Sequence, residues 1–146
     1  MRHGIVGLFP VLPAMPALLS LLSDPKYRLT LRAVALALFA AILIAGSIPG
    51  ARAEVGEYAS GLVLHGLTYA FLASLWFFAS TGNAAVRALK AVLAVALMGA
   101  CDEFVQSFLS YRSGDIRDWL VDVSAASIIS TILALWVPKA LPARQQ

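Results

Sequence analysis

Cysteine occurs once in this chain, at Cys101, which excludes an intrachain disulfide and any cysteine-based metal site. Set in an apolar run, Cys101 reads as a small packing residue. Charge is scarce too: charged residues make up 13% of the 146, against 60% hydrophobic. A water-soluble domain of that size has too little interior to hide so much apolar surface. Together with a mean hydropathy of +0.83, this points to a bilayer as the solvent. The chain also lacks a phosphate loop, a nucleophile elbow, a dinucleotide fingerprint and a His-x-x-x-His pair, so none of the chemistries tied to them is indicated. No linker or internal repeat divides it, and its length suits one domain. The net charge of +3 is scattered over segment ends rather than gathered in a patch. It reads as a set of membrane anchors, and nucleic acid is not an expected partner.

What is present is a series of apolar runs. Residues 4–23 are uncharged but carry Pro10, Pro13 and Pro16, which remove backbone donors and oppose a regular helix. If this stretch crossed from the inside, Lys26, Arg28 and Arg32 would fall outside, against the positive-inside rule. It is read as an interfacial or poorly ordered segment with a helix over residues 16–22, and Met15 is an alternative start. The first span is expected over residues 33–48, the second over 61–80. The third starts near Ala84. Its uninterrupted apolar run, residues 91–101, is eleven residues long, and a crossing needs roughly 20. The helix must therefore continue through Asp102, Glu103 and Gln106 to about Leu109. The fourth span is expected over 118–137. Arg87 and Lys90 place the turn at 80–83 inside. The expectation is an all-α membrane protein, a four-helix transmembrane bundle with both termini cytoplasmic, preceded by the proline-containing segment. Its parts are residues 1–32, the membrane domain 33–138 and a cytoplasmic tail, 139–146.

Against this background, five of the eight acidic residues lie between Asp102 and Asp122. Helical rise places Asp102 roughly 18 Å from Lys90, and Asp122 and His65 each roughly 24 Å from their inner ends. Three helices thus carry polar groups to a similar depth, in the outer half of the membrane. His65 and Tyr69 share a face at i, i+4, as do Asp102 with Gln106 and Asp118 with Asp122. Ionisable groups facing lipid are costly, so these should point inward and find partners. Arg112 and Arg117 are the available cations. Five carboxylates exceed what two arginines can neutralise, which suggests a shared proton, a bound cation or a bound basic group. A helix clamp in which Asp102 or Glu103 pairs with Arg112 is the structural alternative. By ligand type His65, Glu103, Asp118 and Asp122 would suit a divalent cation, but no spacing motif sharpens this. No metal and no cofactor is assigned. Small residues Ala96, Ala100, Ala125 and Ala126 would allow helices three and four to approach closely. Trp76, Phe77 and Phe78 read as lipid-facing or interfacial, and Trp119 and Trp136 as interface belts.

The string His65-x-x-x-Tyr69, then Asp102-Glu103-x-x-Gln106-x-Phe108-x-x-x-Arg112, then Asp118-x-x-x-Asp122 resembles the VanZ-like family of small bacterial membrane proteins, over roughly residues 33–137. The family usually has Asn where Asp122 stands and Asp-Lys where this chain has Gly61-Leu62. The resemblance implies a multi-pass protein of the bacterial cytoplasmic membrane, in a family whose namesake is linked to glycopeptide resistance and which has no settled biochemical activity. It implies a site built from His65, Glu103, Gln106, Arg112 and Asp118.

Together these readings give an outward-facing polar pocket that binds or modifies a cell-envelope or lipid-linked ligand. His65, Glu103 and Asp118 are the candidate catalytic groups. Tyr69, Asp102, Gln106, Arg112 and Asp122 are the candidate ligand-binding groups. The expected partners are membrane lipid and a cell-envelope small molecule or lipid-linked compound. The alternatives are a small proton- or cation-coupled transporter, working as a homo-oligomer, and a structural membrane assembly factor. Whether the chain is an enzyme stays open at this point.

Overall fold

A computed structural model describes residues 14–50, 60–112 and 114–140. Five helices follow one another: α1 (Ala14–Ser23), α2 (Arg28–Gly46), α3 (Gly61–Ala79), α4 (Ala84–Gln106) and α5 (Ile116–Ala140), with a 3-10 turn at Pro25–Tyr27 before α2. The described residues contain no strand. Four of the helices are long and apolar enough to cross a bilayer. Between 6% and 33% of each span's apolar window is buried inside the bundle. The remaining apolar surface faces outward, as a lipid-solvated protein requires.

Local chemistry sets the helix ends. The Asp24 carboxylate accepts from the Lys26 N–H at 3.0 Å and starts the 3-10 turn that leads into α2. Its pKa is held below the ordinary value by that backbone bond. α2 therefore begins at Arg28, five residues before the expected start, with Arg28 and Arg32 inside the helix; long basic side chains can reach back from such positions to polar surroundings. Asn83 caps α4 by accepting from the Val86 N–H at 2.9 Å. The preceding turn needs Gly82, whose φ is +113° and where a Cβ would meet Val86 at 2.8 Å. Lys90 and Arg87 reach back over this turn, to the carbonyls of Thr81 at 2.9 Å and Phe77 at 3.0 Å. α4 stops at Gln106, short of the expected Leu109. The chain there tightens into i→i+3 bonds, Phe108 to Val105 and Leu109 to Gln106. α5 opens two residues before Asp118, because Asp115 accepts the Arg117 N–H at 2.9 Å and acts as its cap.

Packing is tightest between α4 and α5 and between α3 and α5, while α2 leans mainly on α3 and barely touches α4. The middle of the bundle is filled by Tyr69, Leu72, Ala73, Val95, Met98 and Ala126, with Ala35 the buried contact from α2. A second cluster at the Arg87 end holds Phe77, Phe78, Ala91 and Val137, and Leu19 and Leu22 of α1 pack on it. Phe77 and Phe78 are thus core residues, 0% and 5% exposed, and Trp76 packs against both clusters. This corrects the lipid-facing expectation: beyond the polar face of His65, Thr68 and Tyr69, α3 is almost wholly apolar, so hydrophobic periodicity does not orient residues 76–78. Residues 4–13 and the tail from 141 onward fall outside the described residues.

Candidate functional site

The polar residues converge at the end of the bundle opposite Arg87 and Lys90. His65 lies one turn into α3, whose start is capped by Ser60 accepting from the Val63 N–H. Its Nδ1 is 3.0 Å from Asp122 Oδ1, and its Nε2 is 3.7 Å from Asp118 Oδ2. The i, i+4 step on α5 thus puts both carboxylates on one imidazole, Asp118 at the ring's outer nitrogen and Asp122 fully buried behind it. The His65 ring stacks on Tyr69, with centroids 5.9 Å apart and planes 13° from parallel.

From Tyr69 a second chain begins. The buried Tyr69 hydroxyl donates to Asp102 Oδ2 at 3.1 Å. Gln106 Nε2 donates to Asp102 Oδ1 at 2.9 Å. Arg112 donates through Nε and Nη2 to Gln106 Oε1, at 3.2 and 2.6 Å. The amide orientation follows from chemistry. Arginine only donates, so the Gln106 carbonyl must face it and the NH₂ must face Asp102. Arg112 therefore reaches the acid through an intervening amide, and does not form the direct ion pair that the clamp reading required.

Glu103 is tied to a different partner. Its Oε2 accepts the Asp115 N–H at 2.5 Å, which latches the α4–α5 connection onto α4. Gly114 allows this approach, since a Cβ there would stand 2.7 Å from the Glu103 carbonyl oxygen. Tyr111 fastens the same connection to α2 by donating to the Ser47 carbonyl.

A cavity of about 230 Å³ opens among these elements. Ile42, Ala45 and Gly46 of α2 and Leu64 of α3 form an apolar wall. His65, Thr68, Tyr69, Asp102, Gln106 and Arg112 supply the polar floor. The loose contact between α2 and α4 leaves the cavity's side on that flank thinly packed. Of the eight sequence-predicted site residues, five line this cavity: His65, Tyr69, Asp102, Gln106 and Arg112. Asp118 and Asp122 stand behind His65. Glu103 lines a separate, shallower hollow with Phe104, Gly114 and Trp119. Phe108 of the motif is 73% exposed, edge-to-face on Phe104.

Sequence reasoning missed the part that two residues play here. Gly99 lets α5 close on α4, because a Cβ would lie 2.9 Å from Asp122 Oδ2 and 3.1 Å from Trp119 Cδ1. A glycine in a helix interior, where alanine is favoured by about 1 kcal/mol, was the available signal. Trp119 is half-buried and donates to the Ala96 carbonyl at 2.9 Å, so it belongs to the α4–α5 contact and not to an interface belt. Thr68, at i+3 from His65 and so on the same helical face, joins the cavity floor as that spacing predicts. Of the alanines expected at that contact, Ala126 is buried and Ala100 is exposed.

Among known proteins, no curated protein and no solved structure matches this chain. The family model described as VanZ/LLP1 matches residues 30–137, well over half the length and the whole of the site just described. The chain is a multi-pass membrane protein of four candidate spans, and it belongs to the VanZ/LLP1 family.

Proposed function

We propose that this protein binds or modifies a cell-envelope or lipid-linked ligand in the cavity between α2, α3 and α4. The observation that carries the reading is the division of that cavity: an apolar wall from α2 stands over a polar floor drawn from α3, α4 and Arg112. Small-molecule sites have this character, apolar lining with a few convergent polar groups. An amphiphile would lay its chain against Ile42 and Leu64 and its polar group on the floor. The thinly packed α2–α4 flank is a route by which a lipid-borne ligand enters from the side. In this reading Asp102, with Glu103 and Asp118 nearby, attracts cationic groups, and His65 is the proton acceptor. Arg112 sets the floor by orienting Gln106. The basic residues at the Arg87 end support placing that end in the cytoplasm and the cavity near the outer face of the cytoplasmic membrane. The functional unit is residues 33–138.

The test is capture in the membrane. A benzophenone amino acid placed at Ile42 is irradiated in intact cells, and the adducts are read by mass spectrometry. A lipid-linked envelope component should be captured, and its yield should fall several-fold in Asp102→Asn and His65→Gln. Adducts to bulk phospholipid alone, unchanged in both variants, would overturn the reading. One observation favours a second reading, proton- or cation-coupled transport: the imidazole sits between two carboxylates, as in a relay. Proteoliposomes that show no pH-driven flux would end it.

A further inference from the structure

We propose that His65, Asp102 and Glu103 form a divalent-cation site of the kind that takes Zn²⁺ or Mn²⁺. The proposal rests on the reading of this region as a binding site and adds an occupant of its own. One nitrogen or carboxylate oxygen from each of the three residues lies within 4.8 Å of the other two. Bonds of roughly 2.0–2.2 Å at tetrahedral angles hold neighbouring ligands about 3.4 Å apart. The most distant pair thus has to close by up to about 1.4 Å, through rotation of side-chain torsions.

Three further features point to an ion rather than to a chance meeting of acids. The first is the imidazole's orientation. Nδ1 is engaged by the fully buried Asp122 at 3.0 Å, so the hydrogen on that nitrogen leaves the Nε2 lone pair for a ligand. This is the carboxylate–histidine arrangement that supports metal-bound imidazoles. The second is that Asp102 is oriented on both oxygens, by Tyr69 and by Gln106, and Gln106 is itself fixed by Arg112. Each carboxylate oxygen keeps a second lone pair. The third concerns Glu103: its Oε1 is shut off from solvent and meets no hydrogen-bond donor. Among the described residues, no Lys or Arg forms an ion pair with Asp102 or Glu103. A buried acceptor without a donor costs free energy that a cation would recover. One nitrogen with several oxygens matches Zn²⁺ or Mn²⁺ better than Ca²⁺ or Mg²⁺.

The experiment is titration of the full chain, purified in detergent with any affinity tag removed, with ZnCl₂ and MnCl₂ by calorimetry. X-ray absorption of the Zn²⁺-loaded wild type accompanies it. One ion per chain is expected, with a shell of one imidazole nitrogen and oxygens. Glu103→Gln and His65→Gln should weaken binding at least ten-fold. Asp122→Asn, which touches the ion only through His65, should weaken it by about 10- to 100-fold and lengthen or disorder the nitrogen shell. Absence of saturable binding, a shell without imidazole, or a monodisperse Glu103→Gln protein that binds like wild type would each overturn the site. The absorption spectrum requires no variant to fold. The outcomes separate from those of the ligand reading. Ion binding without photo-capture sinks that reading alone, and capture without ion binding sinks this one.

Discussion

Gly99 and Asp122 are in contact across the α4–α5 seam, with the carboxylate oxygen Oδ2 only 2.9 Å from the point where a Cβ on Gly99 would stand. The fully buried acid can face His65 with its other oxygen only because residue 99 has no side chain. The seam and the imidazole partner are therefore one design feature. Trp119, bonded to the Ala96 carbonyl, closes the same gap from the other side and cannot swing away without losing that bond.

Gly99→Ala should destabilise the bundle. Overpacking costs about 1–3 kcal/mol, and alanine returns about 1 kcal/mol of helix propensity, leaving a net loss of up to about 2 kcal/mol. Gly66→Ala is the control. There the added methyl meets only Val121 at 3.8 Å, so the variant should be neutral or more stable by up to about 1 kcal/mol. Thermal unfolding of both proteins in detergent, followed by circular dichroism, decides it. Equal shifts in the two would show that the seam tolerates a Cβ.

Gln106 should matter more to stability than the arginine it meets. Replacing Gln106 by Leu strips a donor from Asp102 and an acceptor from Arg112 at once. Asp102, 4% exposed, would be left with one unpaired oxygen, at a cost of about 1–3 kcal/mol. Arg112→Leu removes only a donor from an amide that still binds Asp102, and should cost less. Tyr69→Phe and Gln106→Leu act on the two oxygens of one carboxylate, so their effects should not add, with a coupling of about 0.5–3 kcal/mol. A double-mutant cycle on unfolding free energy measures this. Additive values would mean that the network does not act as a unit.

Much of this arrangement was readable from the chain, for reasons that differ by residue. The spans follow from run length, and the short apolar stretch before Asp102 already required those acids to be helical. Counting helical rise from the inner ends put His65, Asp102 and Asp122 at a similar depth, and the His65–Asp122 and Tyr69–Asp102 contacts agree with that count. Direction was harder. The His65–Tyr69 face marked the inward side of the first half of α3, but the second half is almost wholly apolar, so no polar residue marked Phe77 and Phe78 as inward. The partner of Arg112 depended on how the α4–α5 connection folds back, which a helix count does not address. Glu103, next to Asp102 in sequence, lies about 100° away around the helix. The two residues therefore line different hollows, although a carboxylate oxygen of each lies within 4.8 Å of the other and of a His65 nitrogen. The α2 wall of the cavity could not be foreseen, because Ile42, Ala45 and Gly46 are no different in type from their lipid-facing neighbours.

Asp122→Asn should separate orientation from charge. An asparagine can still accept the Nδ1–H of His65 through its carbonyl oxygen, so the ring stays in place. The protein should fold and accumulate close to wild-type levels, and photo-capture at Ile42 should persist. Asp122→Ala removes the acceptor and opens a hole beside Gly99, which should cost about 1–3 kcal/mol. Comparable capture in both would mean that His65 does not need this partner. Comparable loss would mean that the negative charge, rather than the hydrogen bond, is what the site uses.

Glu103 separates a latch from a binding group, because its two carboxylate oxygens face different demands. Oε2 holds the Asp115 N–H and Oε1 holds nothing. Glu103→Gln keeps a carbonyl oxygen for Asp115, so the α4–α5 connection stays fastened and the protein accumulates. Glu103→Ala loses that bond, leaving the connection held by Arg112 on Gln106 and by Tyr111 on Ser47. Limited proteolysis in residues 107–115 should then quicken by several-fold in the alanine variant and not in the glutamine variant. If Glu103 is only a latch, Glu103→Gln keeps every function of the wild type and only the alanine variant fails. If the unpartnered oxygen serves the site, Glu103→Gln loses photo-capture and ion binding while its proteolysis pattern stays wild-type, since the amide supplies the latch but not the second carboxylate oxygen.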